Sequence, residues 1–255
     1  MVIAADIGNS NIVIGCFQGE EIRFVERICT KHTATALEYA MSLKTVLELY
    51  GLSPAEISGA IVSSVVPAVT LTFKEAIRKI TGQEALVVGP GLKTGLSILI
   101  DNPAQLGSDL VVDAVAGIAE YPVPQIIIDM GTATTISVID QNRCYLGGMI
   151  LPGVGVALDS LTGRTSQLPK IGLEPPKKLV GSNTVDCMKS GILYGTAAML
   201  DGLIARINDD RGCTHTVIAT GGLAPTVVPL CQQHIIADDA LLLKGLRIIY
   251  RKNAC

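Results

Sequence analysis

The segments DIGNSNIVIG from Asp6 and DMGTATTISV from Asp129 are two copies of one pattern. Each has an aspartate closing an apolar run, then any residue, a glycine, hydroxyl or amide side chains, and a returning β-branched strand. An internal repeat of this kind constrains the fold more than any composition figure, because the chain around each copy must build the same unit. Around the first copy, residues 2–5 and 12–17 are apolar runs separated by Gly8, Asn9, Ser10 and Asn11, which reads as strand, polar turn and returning strand. Residues 22–27 alternate apolar and charged side chains as a third strand, and 36–50 carry apolar residues at helical spacing until Gly51 and Pro54 stop them. A strand at 60–66, a helix at 69–80 and a strand at 85–88 follow.

The order then returns. Strands are expected at 126–128, 136–139 and 144–150, helices at 154–161 and 185–207, a strand at 216–220 and a helix at 240–250. The pattern predicts an α/β chain of two βββαβα-type halves, 1–120 and 121–255. No linker rich in Pro, Ser or charge separates them, which predicts close packing around a shared central cleft.

With 49% hydrophobic and 17% charged residues, 255 residues can bury a substantial core. A formal charge of -3 leaves no broad basic surface for a nucleic-acid backbone or an anionic membrane, so neither is expected as a partner. Seven scattered cysteines with no CxxC pair read as reduced thiols. No apolar run approaches the roughly 20 residues that span a bilayer, and no basic leader precedes Asp6, so a cytoplasmic location is expected.

Glycines at strand tips let main chain approach a phosphate, and the N–H groups with Asn9, Asn11, Thr132 and Thr134 can donate to its oxygens. Asp6 and Asp129 then suit a hard cation, Mg²⁺ held partly through water. Either D-x-G alone is read equally well as a hairpin turn. Two at equivalent places point to nucleotide binding. There is no Walker-type loop and no GxGxxG after the first strand, which excludes those two nucleotide folds.

At this point the residues resemble the acetate kinase, sugar kinase, heat-shock ATPase and actin superfamily, and within it the type III pantothenate kinases much more closely. The resemblance runs over nearly the whole chain and rests on DIGNSN (6–11), NPAQLGSDL (102–110), DMGTATT (129–135), GGMILPG (147–153), LP (168–169), GSNT (181–184) and TGG (220–222). It implies a duplicated ribonuclease H-like, actin-like ATPase fold and the first committed step of coenzyme A synthesis: pantothenate plus ATP giving 4'-phosphopantothenate plus ADP. It further implies a homodimer that uses Mg²⁺ with K⁺ or NH₄⁺. By position, Asp6, Ile7, Gly8, Asn9, Ser10, Asn11, Ile12 and Val13 would line the first phosphate site. Gly131, Thr132 and Thr134 would meet ATP, and Asp129 would help to hold the monovalent cation. Gly107, Ser108, Asp109 and Leu110 would meet pantothenate, with Ile100 beside them and Thr184 approaching it. Asp109 would be the base. Thr220, Gly221 and Gly222 would lie against the adenosine.

Read from the residues, Asp109 precedes the apolar stretch 110–118 and is expected in the first turn of a helix, ionised by the backbone amides and directed outward. There it serves either as a cap or as a base that orients a hydroxyl and accepts its proton. Asp113, one turn on, is expected on the helix surface. GGMILPG is a strand end and bend, a close approach to ligand, or both. Two positions depart from the family pattern: Leu110 stands where Arg is expected in a GADR string, and Ile100 where Tyr is expected, so two polar handles are missing from the acceptor pocket. This keeps two alternatives open, a kinase of another small alcohol or sugar and a non-catalytic regulatory relative. The stripe Met188, Ile192, Leu193, Ala197, Leu200, Leu203 and Ile204 is either a dimer face that carries Thr184 into the partner's pocket or wholly internal core.

Overall fold

The computed structural model describes residues 1–254. The chain runs through β1 (Val2–Ile7), β2 (Asn11–Gln18), β3 (Glu21–Cys29), α1 (Ala36–Leu49), β4 (Gly59–Ser64), α2 (Pro67–Thr81), β5 (Ala85–Val87), β6 (Ser97–Ile98) and α3 (Ser108–Glu120). It continues through β7 (Gln125–Met130), β8 (Ala133–Ile139), β9 (Cys144–Pro152), α4 (Val154–Gly163), α5 (Thr184–Arg211), β10 (Thr216–Thr220), α6 (Ala224–Val227), β11 (Ile236–Ala237) and α7 (Leu241–Asn253).

Two compact units result. The first holds residues 1–96, 101–119 and α7, and the second holds residues 97–100 and 120–240. The first sheet has the order β3-β2-β1-β4-β5, with β2 antiparallel to its neighbours and β1, β4 and β5 mutually parallel. The second repeats it as β9-β8-β7-β10-β11 with the same directions, and β6 adds beside β9. Each sheet alone has the ribonuclease H-like order, so the fold is the duplicated α/β architecture of the actin-like ATPases. Two departures from the expected halves stand out: residues 97–100 belong with the second sheet, and α7 belongs with the first.

Alternation along the strands shows why the first sheet takes helices on both faces. Ile3, Ala5, Ile7, Ala60 and Val62 face one way and pack with Tyr39, Leu43 and Leu47 of α1 and Phe73 and Ile77 of α2. Ala4 and Ile61 face the other way and pack with Val112 and Val115 of α3 and Leu243, Leu246 and Ile249 of α7. Glycines make room for that last helix. A Cβ on Gly59 would overlap Tyr250, one on Gly15 would stand 2.8 Å from Leu243 Cδ1, and one on Gly245 would overlap the Val112 carbonyl. In the second unit, Ile126, Ile128 and Met130 of β7 pack with Leu193, Ala197, Leu200 and Ile204 of α5. Ile192 and Leu203 are partly buried against the same cluster, so the apolar stripe of α5 from Ile192 onward packs on the core of its own unit. No helix among the described residues is long and apolar enough to cross a membrane.

Gly245 gives a substitution whose sign reverses the helix rule. Gly→Ala inside a helix ordinarily stabilises by up to about 1 kcal/mol. Gly245→Ala should instead destabilise by roughly 1–3 kcal/mol, because the new methyl drives α7 off α3. Urea denaturation reads this as a lowered midpoint; a raised midpoint would show that α3 and α7 do not meet there.

Candidate active site

In the first unit, β1 ends at Asp6 and Ile7 and turns at once. Gly8 N–H donates to the Asn11 carbonyl at 3.0 Å. Thr30, just past β3, braces the turn: its Oγ1 donates to the Gly8 carbonyl at 2.7 Å and its N–H to the Ser10 carbonyl at 3.0 Å. Asn9, Ser10 and Asn11 are exposed, whereas the side chains of Ile7 and Ile12 are wholly in the core. Those two isoleucines anchor the turn, and the exposed residues 9–11 are what it offers to a ligand. Asp6 pairs with Val13 on β2 and Ser63 on β4, so its side chain shares a face with theirs, the face that carries α3.

The start of α3 lies against the end of β4. Asn102 caps a single 3₁₀ turn at Pro103–Gln105, accepting from Ala104 N–H at 3.2 Å, and Gly107 then leads into the helix. Ser108 Oγ contacts Ser63 Oγ at 3.0 Å and the Ser64 main chain, through its N–H at 3.1 Å and its carbonyl at 3.0 Å. Asp109 is half-buried rather than directed outward, and its Oδ1 accepts from Leu110 N–H at 2.9 Å. Burial pushes the Asp109 carboxyl up from its ordinary value, opposed in part by hydrogen bonds from the Leu110 and Asp109 main chain. A Cβ on Gly107 would overlap Asp109 Oδ1, so the glycine leaves space for the carboxylate. Asp113, expected on the surface, is only 1% exposed, because residues 111–117 are buried all round the helix.

In the second unit, β7 ends at Asp129 and Met130, and Gly131 N–H donates to the Ala133 carbonyl at 3.0 Å, a turn like the first but one residue shorter. Gly131 and Thr132 are exposed. Thr134 pairs with Met130 and is 0% exposed, so its side chain points into the core and not toward a phosphate. Strand alternation instead places Thr135 beside Asp129 on β8 and Thr220 beside it on β10. Thr135 Oγ1 is shielded from solvent and has no hydrogen-bond partner among the described residues. Gly221, at φ +92°, closes over this tip: a Cβ there would stand 2.5 Å from Asp129 Oδ1 and 2.6 Å from Met130 N.

In GGMILPG, Gly148 and Gly153 permit close main-chain packing. A Cβ on Gly148 would overlap the Ile136 carbonyl, and one on Gly153 would overlap the Thr132 carbonyl, which accepts from Gly153 N–H at 3.2 Å. Ile100 lies beside Gly147, in the segment whose Leu99 N–H donates to the Tyr145 carbonyl at 2.8 Å. Thr184 opens α5 behind Asn183, whose side chain accepts from Asp186 N–H at 2.9 Å. It lines a groove of about 770 Å³ with Leu161, Leu168, Cys187, Met188 and Ile192.

Asp6, the first turn, Ser108 and Asp109 thus gather in one unit. Asp129, the second turn, Gly221, Gly222, Ile100 and Thr184 belong to the other. Thr30, Ser63, Ser64 and Thr135 were not singled out in the sequence. The signals were slight: a hydroxyl pair closing the strand before Pro67, and the one-residue difference between Thr134 and Thr135.

The chain matches the type III pantothenate kinase family over residues 2–206. The type III pantothenate kinase of Brevibacillus brevis is 42% identical over 253 residues, 99% of each chain. That of Moorella thermoacetica is 42% identical over 253 residues, 99% of this chain and 100% of the relative. Among solved structures, the activator of the 2-hydroxyisocaproyl-CoA dehydratase from Clostridium difficile, with bound ADPNP, superposes at TM-score 0.57 with 16% identity, over 98% of this chain and 93% of that one, a likeness of fold. The chain belongs to the type III pantothenate kinase family.

Proposed function

We propose that this protein transfers the γ-phosphoryl group of ATP to the primary hydroxyl of pantothenate, giving 4'-phosphopantothenate and ADP, the first step of coenzyme A biosynthesis. Whole-length similarity to relatives of one named activity carries the reading. The placement of Asp109 supplies the chemistry.

Asp109 is the general base. Desolvation raises its affinity for a proton, and the Leu110 N–H orients the carboxylate that accepts the hydroxyl proton as the O–P bond forms. Little covalent work remains for the protein in phosphoryl transfer, so position and charge account for most of the rate. The main chain of residues 7–13 with the side chains of Asn9, Ser10 and Asn11 receives phosphate oxygens, Gly131 and Thr132 contact ATP, and Gly221 and Gly222 lie along the adenosine. Gly107, Leu110, Ile100 and Thr184 bound the acceptor. Ser108 can reach an acceptor only by its main chain, since its hydroxyl is already committed to β4.

Asp6 would hold Mg²⁺ through water, and Asp129 would hold K⁺ or NH₄⁺. Bound there, these cations neutralise charge on the polyphosphate. The donor set fits the monovalent ion, because the Asp129 carboxylate shares its face with the unengaged Thr135 hydroxyl oxygen. We place the protein in the cytoplasm, without nucleic-acid or membrane partners. We also infer a homodimer with a shared active site. Most of the α5 stripe is committed to the core, but its start, Met188 and Ile192, lines the Thr184 groove, and Leu161, Leu179, Val180 and Val185 stand exposed in and around that groove, Val180 at 80%.

Three outcomes follow. Asp109→Asn should lose roughly a hundredfold or more of turnover on pantothenate. Because burial raises the folded-state pKa, the neutral carboxyl suits the fold and its ionisation weakens it as pH rises through that pKa. Thermal stability of Asp109→Asn should therefore equal or exceed the parent at pH 7, with the difference vanishing in acid, while parental turnover falls as pH drops through the same pKa. Near-parental turnover, or a stability loss typical of a removed cap, would make Asp109 structural. Second, activity should require K⁺ or NH₄⁺, and equal rates in Na⁺ would remove the role of Asp129. Third, mixing Thr184→Ala with Asp109→Asn under subunit exchange should restore part of the activity; a simple average of the two rates would place the site within one chain.

A further inference from the structure

One hydroxyl joins the helix that bears Asp109 to the strand beside Asp6. Ser108 Oγ is within 3.1 Å of three partners: Ser63 Oγ, Ser64 N–H and the Ser64 carbonyl. A hydroxyl has one proton and two lone pairs, so donating to the carbonyl and accepting from the other two uses it completely. Ser63 is fully buried and pairs with Asp6 across β1 and β4. The order Asp6, Ser63, Ser108, Asp109 thus runs from one carboxylate to the other through neighbouring positions. A second layer holds the same strand tip. Ser64 Oγ accepts from Val66 N–H at 3.1 Å and lies 2.7 Å from Thr70 Oγ1, which ties in the first turns of α2.

Val112 and Val115 of α3 also pack against the sheet through apolar contacts. Such contacts hold a helix against a sheet but are non-directional, so they set its axial position and rotation only loosely. Three directional bonds at the first residue of the helix set both. We propose that Ser108, held by Ser63 and Ser64 at the tip of β4, is a positioning residue that fixes the Asp109 carboxylate relative to Asp6 and the first phosphate turn. This rests on Asp109 being the base.

The test compares the parent with Ser108→Ala, Ser63→Ala, the double variant and Asp109→Asn, reading kcat and KM for ATP and pantothenate together with thermal midpoints. Ser108→Ala, which removes all three bonds, should lower kcat by roughly tenfold or more. KM for ATP should stay within about twofold of the parent, since the phosphate turn is untouched. The double variant should be no slower than Ser108→Ala, because both changes break one network. A folded Ser108→Ala with parental kcat, or losses in the two single variants that simply multiply, would overturn the proposal. Should Ser108→Ala not fold, Ser63→Ala decides by the same kcat criterion. Near-parental turnover by Asp109→Asn would overturn the base assignment itself. A slow Asp109→Asn beside a parental Ser108→Ala would overturn only the positioning role.

Discussion

The hydrogen-bond register of β1 and of β7 sets which face of each sheet the aspartates of the two turns occupy. β1 pairs with β2 and β4 so that Asp6 stands opposite Val13 and Ser63, and β7 pairs with β8 and β10 so that Asp129 stands opposite Thr135 and Thr220. The preceding residues of both strands are buried on both faces, which leaves the last turn of each as the place where a carboxylate meets a ligand. A slip of one residue would turn each aspartate to the opposite face.

Around these tips the chain removes side chains wherever main chain must come close. Gly221 lies on Asp129, Gly153 on the second turn and Gly107 on Asp109. Each is a position where a methyl group would displace a carboxylate or a turn carbonyl. The hydroxyl residues do the opposite work and tie elements together: Thr30 holds the first turn, and Ser108 with Ser63 and Ser64 holds the base-bearing helix. Burying the Asp109 carboxylate opposes folding while preparing it to take a proton, a common tension between stability and activity.

Much of this was legible in the sequence. The repeated D-x-G turns and the apolar runs beside them gave both sets of long strands, and helical spacing gave α1, α2, α5 and α7 to within a few residues. What escaped depended on long-range packing. The place of α7 in the first unit follows from Gly15, Gly59 and Gly245, whose meaning appears only when Leu243, Tyr250 and Val112 meet them. Asp113 looked like surface because a lone carboxylate in a helix usually is, and the all-round burial of residues 111–117 is a tertiary fact. Thr134 and Thr135 are chemically identical in the sequence, and only the register with Met130 and Asp129 tells them apart.

The most direct measurement incubates the purified protein with ATP, Mg²⁺ and K⁺ in parallel with pantothenate and with a panel of sugars and small alcohols, following ADP release and the mass of the phosphorylated product. Leu110 and Ile100 make the acceptor the point under greatest strain, so the comparison among acceptors decides. ADP formation that depends on pantothenate, with a product heavier by one phosphoryl group, is the expected result. ADP formed only with another acceptor, or with none, would contradict pantothenate phosphorylation.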